Sequence, residues 1–336
     1  MKLRYWAGTP SFNFNAIFQI IGILLMVVGV LMFLPIGFSI HYHSGDAMPL
    51  AISGLVTLII GAIMYMITKG KDYSVEKREG YLIVALGWFC MTVCGSIPYA
   101  LSGVIPDITN AFFETVSGMT TTGATIVTDI EAMPKGILFW RSLTQWIGGM
   151  GIIVLTIAIF PFLGIGGIEL FVAEAPGPVS DKIHPRIKAT ARALWFIYVS
   201  LTAICCVLLL LGGMNFYDAI NHAMTTMATG GFSTKNSSMA FFDSAYIHYV
   251  VIVFMFLAGV NYTVIFFLVR FDFRRVWSNE EFRGYLIIVT LIALITTSLV
   301  YDATDQSHEK SFREATFHVV SKITTTGYVT ADYKAW

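Results

Sequence analysis

Seven apolar stretches, each about the 20 residues that an α-helix needs to cross a bilayer, run through this 336-residue chain near residues 15–37, 48–68, 80–102, 137–163, 190–212, 245–270 and 284–301. No soluble core of this size absorbs them. Hydrophobic residues make up 56% of the chain, charged residues 12%, and mean hydropathy is +0.72. The bilayer is therefore the solvent, and the expected fold class is an all-α polytopic membrane protein. Formal net charge is zero and no Lys/Arg block is dense enough to hold a polyanion, which sets nucleic acid aside as a partner. Cys90, Cys94, Cys205 and Cys206 lie inside apolar runs and read as buried or lipid-facing thiols rather than metal or redox groups. Lys2 and Arg4 precede the first run, which is long enough to span and lacks a small-residue cleavage site; it reads as an uncleaved first helix.

The spans leave three segments unexplained, 107–130, 214–236 and 310–330. Each joins a short helical pattern to a Thr/Gly-rich end: "SGMTTTGATI" from Ser117, "TMATGGFSTK" from Thr226 and "SKITTTGYVT" from Ser321. Each is too short to cross. Matching the Thr-Gly pairs makes Gly123, Gly230 and Gly327 equivalents, roughly a hundred residues apart, which is the spacing of a repeating unit. The basic residues fall into three groups: Lys69, Lys71, Lys77 and Arg78; Lys182, Arg186, Lys188 and Arg192; Arg270, Arg274, Arg275 and Arg283. They occupy alternate loops, as a cytoplasmic N-terminus requires, provided each short segment enters the membrane and returns to the outer face. The expected organisation is an N-terminal two-helix extension (1–79), a first pore repeat (80–173), a second with its cytoplasmic connector (174–283) and an incomplete third (284–336). Each repeat reads as membrane helix, re-entrant pore helix with filter loop, membrane helix, around one ion path.

Irregular backbone at membrane depth is tolerated only where protein buries it or where it lines a water-filled path. In the second case its carbonyl oxygens replace the hydration shell of a cation. Glycine supplies φ/ψ values that a β-carbon obstructs and lets the ion approach closely. The hydroxyls of Thr122, Thr229 and Thr326 bond locally or add oxygen ligands. The candidate ion-binding residues are Thr121, Thr122, Gly123, Thr229, Gly230, Thr325, Thr326 and Gly327. A single TTTG is more often an ordinary helix-ending turn; three copies in equivalent places favour the filter. In the same alignment Glu114, Asn221 and His318 share one position, where they either draw cations to an outer vestibule or tie one repeat to the next. Arg141 reads as a charge-paired or snorkelling residue at the outer interface, or as one that tunes the path. The seven histidines are scattered and no HExxH or nucleophile–base pair occurs, so no enzyme is expected, nor a cofactor held by this chain.

Four stretches carry a family resemblance. "FFETVSGMTTTGATIVTDIEAMPKGILFWRSLTQWIGGMGIIVL" (112–154) resembles the first pore unit of bacterial Trk-type potassium uptake membrane subunits, in the superfamily that also holds Ktr subunits and plant HKT transporters. "AEAPGPVSDKIHPRIKATARALWFIYVSLT" (173–202) is similar to the connector and following span of the TrkH/TrkG branch, and the likeness continues through "TMATGGFSTKN" (226–236) and "SKITTTGYVTADY" (321–333). The resemblance implies four repeats around one path and K⁺ held at the filter residues named above. It also implies gated, channel-like uptake in the bacterial inner membrane by a homodimer docked on cytoplasmic nucleotide-binding Trk/Ktr regulatory subunits. A fourth filter phrase and a span after the third are absent from this chain, so it looks like a fragment that is not expected to conduct alone. The alternatives are a potassium symporter coupled to H⁺ or Na⁺, against which the scarcity of acidic residues at span centres argues, and a nonconducting structural partner.

Overall fold

The computed structural model describes residues 12–70, 77–163, 183–304 and 306–331; of 77–78, 152–163 and 183–191 it describes the backbone alone. Lys71, Lys182 and most of the connector before the second repeat lie outside the described residues, as do the side chains of Lys77, Arg78, Arg186 and Lys188. Regular structure among the described residues is entirely helical.

The extension comes first. In α1 (Phe14–Leu31), the Asn13 side chain accepts a hydrogen bond from the Ala16 N–H and caps the helix. After a break at Met32–Phe33, α2 (Leu34–His41) resumes with Pro35 in its first turn, where a missing N–H costs nothing. α3 (Ala47–Thr68) returns against α1 so closely that backbones touch. A β-carbon at Gly22 would lie 2.7 Å from the Gly61 carbonyl oxygen, and one at Gly61 would lie 2.6 Å from that of Gly22; Gly29 and Gly54 repeat the arrangement at 2.9 and 3.0 Å. Between helices in lipid, where hydrophobic burial offers no drive, such contact supplies the attraction.

Helices α4 (Lys77–Leu101), α5 (Ile108–Met119) and α6 (Lys135–Leu163) pack on one another; α7 (Ile183–Leu211), α8 (Phe216–Met227) and α9 (Ala245–Ala258) do the same. The short helices start alike: Asp107 caps α5 by accepting from Asn110 N–H, and Asn215 caps α8 by accepting from Asp218 N–H. Twelve residues rise about 18 Å, short of a hydrocarbon core of about 30 Å. Among the described residues, five stretches are long and apolar enough to cross: Phe14–His41, Ala47–Thr68, Glu79–Leu101, Arg192–Leu211 and Glu280–Ala303. The 29-residue α6 covers the expected span at 137–163.

The expected span at 245–270 is broken. Gly259 closes α9, and α10 (Tyr262–Val269) leaves at 112° with Asn261 as its N-cap. The apolar run continues across the break, but Gly-Val-Asn supplies a helix stop and a helix start in succession. Contact enforces the glycine: a β-carbon there would lie 2.8 Å from both Thr324 Cγ2 and Tyr285 Oη. After the short α11 (Phe273–Ser278) come α12 (Glu280–Ala303) and α13 (His308–Ile323), the latter capped by Ser307, which accepts from the Lys310 N–H. α6 packs on α7 and α8, and α9 packs on α13, so the units meet in chain order; α1 against α4 and α2 against α6 seat the extension on the first of them. Outward-facing Ile287, Ile288, Leu291, Leu294, Ile295 and Leu299 on α12 present the aliphatic surface that lipid solvates.

Candidate functional site: three Thr/Gly loops and their supports

Each short helix ends in the same way. The N–H groups of Thr120, Ala228 and Thr324 close the last turn onto Val116, Met224 and Val320, and those of Thr121, Thr229 and Thr325 bond three residues back. These last threonines have φ of 55°, 51° and 60°. Two residues on, Gly123, Gly231 and Gly327 are also left-handed, at 78°, 73° and 86°. A left-handed threonine is disfavoured by about 1–2 kcal/mol, and its recurrence in three loops means the surroundings impose it.

That backbone pattern corrects the alignment made from sequence. Gly231, and not Gly230, is the counterpart of Gly123 and Gly327, while Gly230 stands where Thr122 and Thr326 stand. Adjacent Thr-Gly letters suggested the other register, but what repeats is Thr-x-Gly with both outer residues left-handed. The same shift puts His222, rather than Asn221, at the position of Glu114 and His318; Asn221 donates to the Tyr217 carbonyl on its own helix.

The realigned trio holds the outgoing limbs of the loops. Glu114 accepts from the Thr125 hydroxyl at 2.8 Å and the Ile126 N–H at 3.1 Å. His222 Nε2 lies 2.9 Å from Ser233 Oγ, and His318 Nε2 accepts from the Thr330 N–H at 3.5 Å. All three are buried and tie the short helices to the outgoing limbs. One turn further along, Ser117 donates to the Ala124 carbonyl and Ser321 to that of Tyr328. The threonine hydroxyls are used locally: Thr122 Oγ1 pairs with Thr120 Oγ1 at 2.8 Å, Thr326 Oγ1 with Thr324 Oγ1 at 2.7 Å, and Thr229 Oγ1 donates to the Ala228 carbonyl.

The backbone oxygens behave differently. The carbonyls of Thr121, Thr122, Gly123, Thr229, Gly231, Thr325, Thr326 and Gly327 accept no hydrogen bond from the described residues; that of Gly230 accepts one, from Gln145 Nε2 at 2.7 Å. The loops also meet one another. A β-carbon at Gly123 would overlap the Gly230 carbonyl oxygen, and one at Gly231 would overlap that of Thr326, whereas one at Gly327 would meet no described atom within 4 Å.

Two residues one turn apart on α6 reach from the first loop to the second. Arg141 Nε bonds Glu114 Oε1 at 2.7 Å, its Nη1 donates to the Ser233 carbonyl at 3.3 Å, and its guanidinium lies 3.5 Å from the centre of the Phe232 ring. At 1% exposure it is charge-paired inside the protein and does not snorkel. Gln145, also buried, accepts from the Phe232 N–H at 3.1 Å with the oxygen of the same amide that holds Gly230. Sequence reasoning missed Gln145; its signal was a carboxamide inside an apolar span.

Supports continue at both ends of this first unit. Asn236 Oδ1 accepts from the Ile130 N–H at 2.7 Å and its Nδ2 donates to Asp129 Oδ1 at 3.0 Å, clasping the two outgoing limbs. The Asn236 amide, and after it the Ala132 N–H, hold the Asp129 carboxyl below its ordinary pKa. In the extension, the Asp46 carboxylate accepts from Ser39 and Ser44 at 2.5 Å each and from the Ile137 N–H at 2.6 Å. It thus caps α6 from another element.

Membrane-length helices interleaved with short helices that end on mutually contacting Thr/Gly loops define a class: a polytopic membrane transport protein of the pore-loop type. The family profile described as TrkH, cation transport protein, matches residues 47–336, and the chain belongs to that family. The "Trk system potassium uptake protein TrkH" of Vibrio parahaemolyticus is 40% identical over 96% of this chain and 68% of its own length. The Escherichia coli protein called TrkG is 32% identical over 94% of this chain and 66% of its own. The crystal structure of the potassium transporter TrkH from Vibrio parahaemolyticus matches with a TM-score of 0.85 at 37% identity, covering 97% of this chain and 67% of that one. The chain spans about two thirds of the length of these relatives.

Proposed function

We propose that this chain takes part in potassium uptake through a channel-like path whose ion-binding groups are the backbone oxygens of the three Thr/Gly loops. The observation that carries the reading is the set of carbonyls at Thr121, Thr122, Gly123, Thr229, Gly231, Thr325, Thr326 and Gly327 that accept no hydrogen bond from the described residues, in loops that touch one another. Unsatisfied carbonyls at membrane depth are costly unless water or a cation meets them, and carbonyl rings are what strips water from K⁺. Potassium is the ion named for the relatives.

In this mechanism K⁺ enters from the outer side, exchanges water for loop carbonyls and moves inward down its electrochemical gradient. An inside-negative potential contributes about 2.3 kcal/mol per charge per 100 mV, so the step needs no chemistry from the chain. Glu114, His222 and His318 hold the limbs that carry the oxygens. The reading includes a bacterial inner membrane with a cytoplasmic N-terminus, a homodimer, and regulatory nucleotide-binding subunits on the face where Arg270, Arg274, Arg275 and Arg283 gather. It divides the chain into the extension (1–79) and repeats at 80–173, 174–283 and 284–336.

Calorimetric titration of the purified chain with KCl and NaCl, with choline chloride as the ionic-strength control, tests it. K⁺ is expected to bind with heat and Na⁺ to bind more weakly. Equal responses to the two ions, or none to K⁺, would overturn the reading.

A further inference from the structure

We propose that Gln145 is a selectivity-determining positioning residue: from the first unit it fixes the Gly230 carbonyl of the second loop and so sets the preference for K⁺ over smaller cations at that level. The inference rests on the potassium reading above and adds to the eight unbonded carbonyls named there that of Gly230, which Gln145 bonds through one of its two lone pairs.

A carboxamide carries a donor and an acceptor side by side. Gln145 uses both, donating Nε2 to the Gly230 carbonyl at 2.7 Å and accepting from the Phe232 N–H at 3.1 Å. Between those two bonds lies Gly231, the left-handed glycine at φ 73°. The grip spans the one residue whose backbone is freest to turn, so it fixes the direction of the 230–231 peptide. There is no room for the amide to be incidental: a β-carbon at Gly230 would overlap it.

The three loops are unlike in this respect. Gly230 shares its level with Thr122 and Thr326, whose carbonyls accept nothing from the described residues. One oxygen at the level is tethered and its neighbours are not. A smaller ion needs its ligands to close in, and a tethered carbonyl resists closing, which penalises Na⁺ more than K⁺. Gly230 also lies against Gly123, where a β-carbon would overlap its oxygen, so the tether sets the spacing between first and second loops as well. Arg141, one turn away, holds the same loop at Ser233 and Phe232, which lets the fold persist when Gln145 is changed.

Two variants test the inference by calorimetry with K⁺ and Na⁺, alongside thermal unfolding in detergent. Gln145→Met keeps the length and loses both bonds; its K⁺/Na⁺ affinity ratio is expected to fall about tenfold, the worth of one hydrogen bond, with the unfolding midpoint lowered by the Phe232 N–H it leaves unpaired but the transition still cooperative. Gln145→Glu has donor and acceptor only while protonated, with Arg141 and, bonded to it, Glu114 the charged groups one turn off. Its ratio is expected to stay near the parent value in acid and to fall as the carboxylate forms. A folded Gln145→Met with an unchanged ratio overturns the proposal; so does a Gln145→Glu ratio that ignores pH, which remains readable if the methionine variant does not fold. A parent chain that shows no preference for K⁺ would count instead against the potassium reading itself.

Discussion

Threonine resists left-handed backbone, yet Thr121, Thr229 and Thr325 all adopt it, and each is followed at the second position by a glycine that shares the conformation. The glycines are not equivalent in what surrounds them. Gly123 and Gly231 face the carbonyl of the next loop, while a β-carbon at Gly327 meets no atom of the described residues within 4 Å. Alanine at Gly327 therefore meets only the conformational cost of about 1–2 kcal/mol, whereas alanine at Gly123 or Gly231 must also displace a carbonyl. Unfolding midpoints in detergent are expected to drop least for Gly327→Ala; a drop there as large as for Gly123→Ala would contradict the loop contacts. At this scale the sequence was legible in kind and misleading in register. Three Thr/Gly phrases announced the loops, but the doubled glycine in "TGG" offered two alignments, and dihedral sign, which letters do not carry, decides between them. The second-loop carbonyls that Gln145 and Arg141 hold lie 85 and 92 residues away, and nothing in the local pattern names them.

Among the elements, α6 does the most joining. Its first turn is capped by Asp46 from the extension, whose carboxylate meets the Ile137 N–H, and its next turns hold the second loop. Asp46→Ala removes the acceptor for that N–H and for two serine hydroxyls, so a loss of about 1–2 kcal/mol is expected; Asp46→Asn, which keeps an acceptor, is expected to lose less. Equal unfolding midpoints for Asp46→Ala and the parent would mean that α6 does not need the cap. Span positions were readable because an apolar run of bilayer length has few alternatives. The break after α9 was readable as well, in Gly259 and Asn261, but the eye follows hydropathy across it. Helix pairing in the extension shows the converse: Gly22, Gly29, Gly54 and Gly61 carry no hydropathy signal of their own and are the contact itself.

Across the whole molecule the units are fastened by polar ties through a largely apolar interior. The Glu114–Arg141 pair is buried on both sides and continues to Ser233 and Phe232 of the second loop. Removing one partner strands a buried charge, a cost of about 3–5 kcal/mol, while replacing both is far milder. Arg141→Met is therefore expected to lower the unfolding midpoint strongly and to reduce K⁺ affinity, and adding Glu114→Gln is expected to recover part of the stability. Recovery of stability without recovery of K⁺ affinity would separate the fastening role from the alignment of the loops; no recovery at all would refute the buried-pair account. The break at Gly259 has a mechanical consequence. An unbroken rod transmits a push along its axis, but a rod bent through 112° is a crank, with α10 as an arm of about 12 Å. Force applied near Arg270 turns about the elbow at Gly259–Asn261, and the elbow bears on Thr324, the residue from which the third loop springs. With a rigid elbow, a sideways displacement of α10 would bear on the base of the third loop as torque.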